Sequence, residues 1–269
     1  MRKRYLALIV LICSCSAQKN LNKASVQNGS LVPDGKLFNA VFQQQAAEYR
    51  ALCFQAYNIA TLRLNEILKD TLSAMPKAIV TDIDETILDN SKYAVHQGLQ
   101  GKDYDTKTWG EWCALADADT LAGALTFFKY AAARNVEVFY ITNRSAGERS
   151  GTLKNMQKYG FPFADERHLL TKGESSSKED RRMMVAKTHN IVLLVGDNLA
   201  DFSDLFDKKS SAEREANTQR SAALFGDKFI VLPNSGYGDW EAVLYNYKYG
   251  DFTIQQRDSI LKSVLKTYR

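Results

Sequence analysis

The sequence predicts an α/β fold with a mostly parallel sheet and helices on both faces, and three observations carry that expectation. Segments that read as strands alternate with segments of helical periodicity, the pattern of strand–helix–strand units. The strand segments are continuous apolar runs, as parallel strands buried on both faces require. Finally, Asp82, Thr142, Lys172 and Asp197 each stand at or just past the end of a different strand, the edge where such sheets bind ligands.

The elements follow in order. Arg2-Lys3-Arg4 and the apolar run Tyr5 to Ile12 form the n- and h-regions of an export signal, too short to cross a membrane, which takes about 20 residues. Ile12-Cys13-Ser14-Cys15-Ser16 then resembles a bacterial lipoprotein signal. Cys15 is the better lipidation site, because Ser14 is small while Ile12 fits poorly before a cleavage point. An ordinary secretory signal cleaved near Ala17 is the alternative. Residues 1–15 are thus read as signal and lipobox, 16–36 as a flexible tether and 37–269 as the folded domain.

Within that domain, Phe42, Tyr49, Leu52, Tyr57, Ala60, Leu64 and Ile67 recur at helical spacing, predicting one or two helices before Pro76. Lys77 to Thr81 is a strand, and Asn90 to Thr120 reads as irregular. Leu121 to Arg134 is a helix, Val136 to Thr142 a strand, and Ala146 to Tyr159 a helix ended by Gly160. His168 to Thr171 is a short strand, Lys178 to Thr188 a helix, and Ile191 to Val195 and Phe229 to Leu232 are strands. Trp240 to Arg269 reads as two helical pieces around Gly250.

The net charge of +4 is mild, and Arg2, Lys3 and Arg4 supply part of it, so nothing points to a nucleic-acid polymer as partner. Beyond the lipobox only Cys53 and Cys113 remain, too few for a disulfide framework and without metal-site spacing. His96, His168 and His189 also lack ligand spacing and read as packing or surface residues. The chain after the signal has no Gly-x-x-x-x-Gly-Lys-[Ser/Thr] loop, which argues against a P-loop nucleotidase.

The chemistry lies in two acidic pairs, Asp82 with Asp84 and Asp197 with Asp201, each following an apolar strand. Carboxylates brought together raise one another's pKa. A divalent cation removes that cost, and Mg²⁺ takes a few carboxylates while keeping sites for water and substrate phosphate. The pairs therefore indicate a phosphate-handling Mg²⁺ site. Glu85 and Asp89, beside the first pair, read as cap or surface carboxylates.

Asp82-Ile83-Asp84-Glu85-Thr86, Ile141-Thr142-Asn143-Arg144 and Gly196-Asp197-Asn198-Leu199-Ala200-Asp201 resemble three motifs of the haloacid dehalogenase superfamily in its phosphatase form. With Pro233-Asn234-Ser235-Gly236-Tyr237-Gly238-Asp239-Trp240-Glu241 and the lipoprotein signal, the chain is similar to the class C bacterial acid phosphatases from about Phe42 onward. The resemblance implies a Rossmann-like core with a small, mainly helical cap drawn from residues 37–75, 90–120 and the C-terminal helices, and Mg²⁺-dependent hydrolysis of phosphomonoesters (5′-nucleotides, nicotinamide mononucleotide, aryl phosphates) at the bacterial outer membrane. Asp82 is then the nucleophile that becomes an aspartyl-phosphate, and Asp84 the general acid and base. The metal falls to Asp82, the Asp84 carbonyl, Asp197 and, through a water, Asp201.

Thr142 and Asn143 are implied phosphate donors. Lys178 matches the third motif best, with Lys172 the alternative on geometry alone. Tyr237 and Trp112, with Trp109 and Tyr93, offer faces on which a substrate ring would stack. The resemblance also allows a homodimer. A surface lipoprotein that captures a ligand such as haem is the rival reading, and the intact Asp84 argues for chemistry over mere capture.

Overall fold

The chain enters through α1 (Leu31–Gln45) and α2 (Ala47–Ile67) and then forms β1 (Lys77–Thr81). A short β2 (Leu88–Asp89), α3 (Ser91–Gly98), α4 (Thr106–Leu115) and β3 (Asp119–Thr120) separate β1 from α5 (Ala124–Ala132). Then come β4 (Glu137–Ile141), α6 (Arg149–Tyr159), β5 (Leu169–Leu170), α7 (Glu179–Ala186), β6 (Asn190–Gly196), α8 (Ser211–Arg220) and β7 (Phe229–Val231). The chain closes with α9 (Asp239–Ala242) and α10 (Ile254–Val264). This computed structural model describes residues 29–70 and 75–268, so Cys15, the signal and the tether up to residue 28 lie outside the described residues.

The five long-range strands pair in parallel in the order β5-β4-β1-β6-β7. Successive side chains of a strand point to opposite faces, and the apolar runs serve both. Ile79, Val138, Tyr140 and Leu193 pack with Tyr57 and Leu64 of α2, Phe128 of α5 and Met156 of α6. Their neighbours Val80, Phe139 and Leu194 pack on the other face with Val185 of α7, Phe202 and Phe206. The order reverses at β1, with β4 on one side and β6 on the other, which opens a crevice at the carboxyl ends of these strands.

Several boundaries differ from the sequence reading. The segment read as tether up to residue 36 is helical from Leu31 onward. The start of α1 is supported by Asp258 of α10, whose Oδ1 accepts from Val32 N at 3.1 Å and Ser30 Oγ at 2.9 Å. Such a distant partner for an orphan helix N–H leaves no local cap signature. Residues 90–120 are also not irregular: they hold α3, α4 and β3. Asp105 caps α4 by accepting from Thr108 N at 2.9 Å, and left-handed Ala116 ends it. The tail is broken by left-handed Asn246 and Tyr247, so among the described residues α10 is its only helix longer than four residues.

Assigning all of 37–75 to the cap also needs correcting. Cys53, Tyr57, Ala60 and Leu64 of α2 belong to the core beside the sheet, whereas α1 rests on α3 and α10. Cys53 and Cys113 are both buried and unpaired. Among the described residues no helix is long and apolar enough to cross a membrane.

Candidate active site

Asp82 continues the β1–β6 ladder one residue past the strand, its N–H donating to Val195 O at 2.9 Å. The chain then turns sharply: Ile83 O accepts from Ile87 N and Leu88 N, both at 2.9 Å, and Glu85 adopts a left-handed φ of 54°. A non-glycine residue there carries a conformational cost, and such strain concentrates at functional loops. The turn sets Asp84 on the same cavity as Asp82.

Three residues hold the Asp84 carboxylate. Arg144 donates from Nη2 to Oδ1 at 2.7 Å and from Nε at 3.0 Å. Asn90 Nδ2 donates to Oδ1 at 2.9 Å and Thr142 Oγ1 to Oδ2 at 3.4 Å. Thr142 is fully buried, while Asn143 lines the cavity and its Oδ1 accepts from Arg181 Nη2 at 2.8 Å. Arg181 Nη1 also donates to Thr142 O at 2.5 Å, pinning this loop to α7.

The second acidic pair closes the site from β6. After Asp197 and Asn198 one 3₁₀ turn, Leu199–Asp201, follows the strand in place of a full helix and swings Asp201 back, its Oδ2 accepting from Asn198 N at 3.0 Å. Only glycine fits at 196, because a Cβ there would lie 2.4 Å from Asp201 Oδ2. Asp197 accepts from Asn234 Nδ2 at 2.7 Å and Thr86 Oγ1 at 3.2 Å. Lys178 at the start of α7 sends Nζ to Asp82 Oδ1 at 2.5 Å and Asp201 Oδ1 at 2.6 Å, all three residues being buried. Lys172 is not among the cavity-lining residues.

Asp82, Asp197 and Asp201 each offer a carboxylate oxygen within 4.8 Å of the others. One lysine does not balance three such charges. Burial and the neighbouring acids push Asp82 well above the ordinary carboxylate range despite Lys178. Burial and Asp201 likewise push Asp197 up to about 7. An all-oxygen cluster with unrelieved negative charge suits a hard divalent cation. The donor set therefore fits Mg²⁺.

The cavity is about 420 Å³ and is walled by Tyr93, Tyr104, Trp109, Tyr237 and Tyr249. Tyr237 lines the cavity, its hydroxyl donating to Glu85 Oε2. Trp112 is not among the lining residues. Its indole is turned to Asn90 Oδ1 at 2.8 Å, and Trp109 lines the cavity instead. Glu85 is not a surface carboxylate: it is 2% exposed, its Oε1 accepts from Asn90 N at 2.9 Å where α3 begins, and burial together with the Asp84 charge raises it to about 8. Sequence reasoning gave no role to Arg144, Asn90 or Arg181. Of the three, only Arg144 stands inside a recognisable motif, Ile141-Thr142-Asn143-Arg144.

A parallel sheet that gathers two acidic pairs and a buried lysine at its switch point defines a Rossmann-like α/β phosphatase of the haloacid dehalogenase type. The sequence profile of the HAD superfamily, subfamily IIIB (acid phosphatase), matches residues 8–240, and the chain belongs to this family of phosphomonoesterases. Two solved structures of the class C acid phosphatase from Bacillus anthracis, one with tungstate bound, superpose with a TM-score of 0.85 at 38% identity. Each comparison covers 88% of this chain and 99% of the other. Acid phosphatase 1 of Solanum lycopersicum is 27% identical over 130 residues, 45% of this chain, so the chain spans about half (50%) of that curated relative.

Proposed function

We propose that this chain is a Mg²⁺-dependent acid phosphatase that hydrolyses small phosphomonoesters through an aspartyl-phosphate on Asp82. The observation that carries this reading is the Asp82–Asp84 pair on one cavity beside the carboxylate cluster with Asp197 and Asp201. A carboxylate nucleophile needs a separate proton carrier, and Asp84 has its own set of partners for that duty.

In the first step an Asp82 carboxylate oxygen bonds to phosphorus as the bond to the leaving oxygen breaks. That oxygen takes the Asp84 proton and departs as an alcohol. Water then attacks the phosphoryl group, gives its proton to Asp84, and releases phosphate and free Asp82. Lys178 orients Asp82 and offsets charge at the reacting centre, and Asn143 faces the phosphoryl oxygens from the cavity wall, whereas Thr142, implied by the sequence as a second phosphate donor, is fully buried with its hydroxyl given to Asp84. Asp82, Asp197, Asp201 and the Asp84 carbonyl would hold Mg²⁺, which when bound neutralises charge between nucleophile and phosphate.

Tyr237 and Trp109 offer flat faces to a substrate ring, which supports 5′-nucleotides, nicotinamide mononucleotide and aryl phosphates as substrates. Lipidation at Cys15 would tether the enzyme in the bacterial envelope, at the outer membrane, where release of nucleoside and phosphate serves uptake. A homodimer is part of the same proposal. Phosphate release from these substrates with Mg²⁺ and with EDTA tests it. The proposal expects turnover that EDTA abolishes and that Asp84→Asn reduces by about 10²–10⁴-fold on 5′-nucleotides. Metal-independent turnover, or none on any substrate by folded protein, would overturn it.

A further inference from the structure

Trp112 stands outside the cavity wall, yet its indole N–H begins a chain of contacts that ends on Asp84. It donates to Asn90 Oδ1 at 2.8 Å, and Asn90 Nδ2 donates to Asp84 Oδ1 at 2.9 Å. Asn90 is buried and its amide is fully used. Oδ1 also accepts from Arg144 Nη2 at 3.3 Å, and Nδ2 also reaches Glu85 Oε2 at 3.5 Å. Two donors face the carbonyl and two carboxylates face the NH₂, so a flipped amide would oppose all four.

The donor at the head of this chain is itself fixed. The Trp112 ring packs against the main core. Helix α4 lies so close to α6 that a Cβ on Gly151 would meet the Cys113 carbonyl oxygen at 2.1 Å. Arg144 grips Asp84 through two nitrogens of one plane, so tilt about that contact is restrained only by the longer Thr142 bond to Oδ2, at 3.4 Å. The bond from Asn90 comes from a different element, the start of α3, and removes the tilt.

We propose that Trp112 and Asn90 are positioning residues that aim the Asp84 carboxyl at the leaving oxygen and so set how basic a leaving group the site tolerates. The inference rests on the phosphatase reading above. As the Asp82–phosphorus bond forms, an alkyl leaving group departs only as it takes the Asp84 proton, whereas p-nitrophenolate departs without one. Small displacements of a catalytic group carry large rate penalties. Misaiming Asp84 therefore penalises the alkyl ester selectively.

The test measures kcat/KM for p-nitrophenyl phosphate and glycerol 2-phosphate with Mg²⁺ present, because kcat/KM reports the steps through phosphoenzyme formation. Trp112→Phe keeps the ring and removes only the N–H, and Asn90→Ser is the second variant should the first fail to fold. The ratio of the two constants is expected to shift against glycerol 2-phosphate by at least about tenfold, a part of the roughly 10²–10⁴-fold that general acid catalysis supplies. Equal losses on both substrates, or an unchanged ratio in folded variants, overturn the inference while the phosphatase reading stands. If the unaltered protein hydrolyses neither ester, the phosphatase reading falls and this inference with it.

Discussion

The Lys178 ammonium lies 2.5 Å from Asp82 Oδ1, and both groups are buried. The contact spans β1 and the start of α7, and the same nitrogen reaches Asp201 at 2.6 Å. Lys178 thus joins both acidic pairs, and burial does not discharge it: the Asp201 and Asp82 carboxylates hold it above its ordinary pKa.

Lys178→Met removes that countercharge and leaves buried carboxylates facing one another. Breaking one partner of a buried pair costs about 3–5 kcal/mol, a loss that urea unfolding in EDTA would read. Activity with Mg²⁺ is expected to fall by about 10²–10³-fold, as for the loss of one preorganised charge at a reacting centre.

Gly196→Ala puts a methyl group where Asp201 Oδ2 lies 2.4 Å away. Overpacking of this kind costs about 1–3 kcal/mol. Here it also displaces Asp201 from the carboxylate cluster. The variant is expected to melt at a lower temperature and to need more Mg²⁺ for half-maximal turnover. Unchanged metal dependence would show that Asp201 serves elsewhere.

Mg²⁺ binding itself should be visible without substrate. A ligand that binds only the folded state stabilises it by about 2.7 kcal/mol at a hundredfold excess over Kd. The melting temperature is therefore expected to rise with Mg²⁺ in the unaltered protein and to rise little in Asp197→Asn. Equal shifts in both proteins would place the cation outside this cluster.

A pH effect is predicted far from the site. Glu137 accepts from His168 Nε2 at 3.0 Å and lies 3.4 Å from His189 Nε2. Partial burial opposes its charge, but the two imidazoles hold its pKa below the ordinary value. A depressed carboxylate stabilises the fold above its unfolded pKa, about 4.3, and that contribution is lost as pH falls through the lower folded value. The melting-temperature gap between the unaltered protein and Glu137→Gln is expected to be present at pH 5 and to close below about pH 4. A gap that persists in acid would contradict the assignment.

The sheet and its acids were legible in the sequence because their signals are local. An apolar run followed at once by Asp82 or Asp197 states both the strand and the edge it serves. Residues acting through distant partners left no such trace. Arg144 meets Asp84 across sixty residues, and Asp258 caps α1 from the far end of the chain. Glu85 reads as a polar turn residue, and only the packed fold reveals that Tyr237 and the Asn90 amide bury it. Trp112 misled for the same reason: its aromatic character was visible, but the direction of its N–H was not.

The central claim is that Asp82 carries the phosphoryl group and Asp84 controls its release. The most direct measurement is intact and peptide mass of the Asp84→Asn protein, acid-quenched within the first turnovers of p-nitrophenyl phosphate, whose leaving group needs no proton. The account predicts one phosphoryl group on the Asp82 peptide, removable by hydroxylamine and absent from Asp82→Asn. Continued p-nitrophenol release with no phosphoryl group on that peptide, at any quench time, would contradict it.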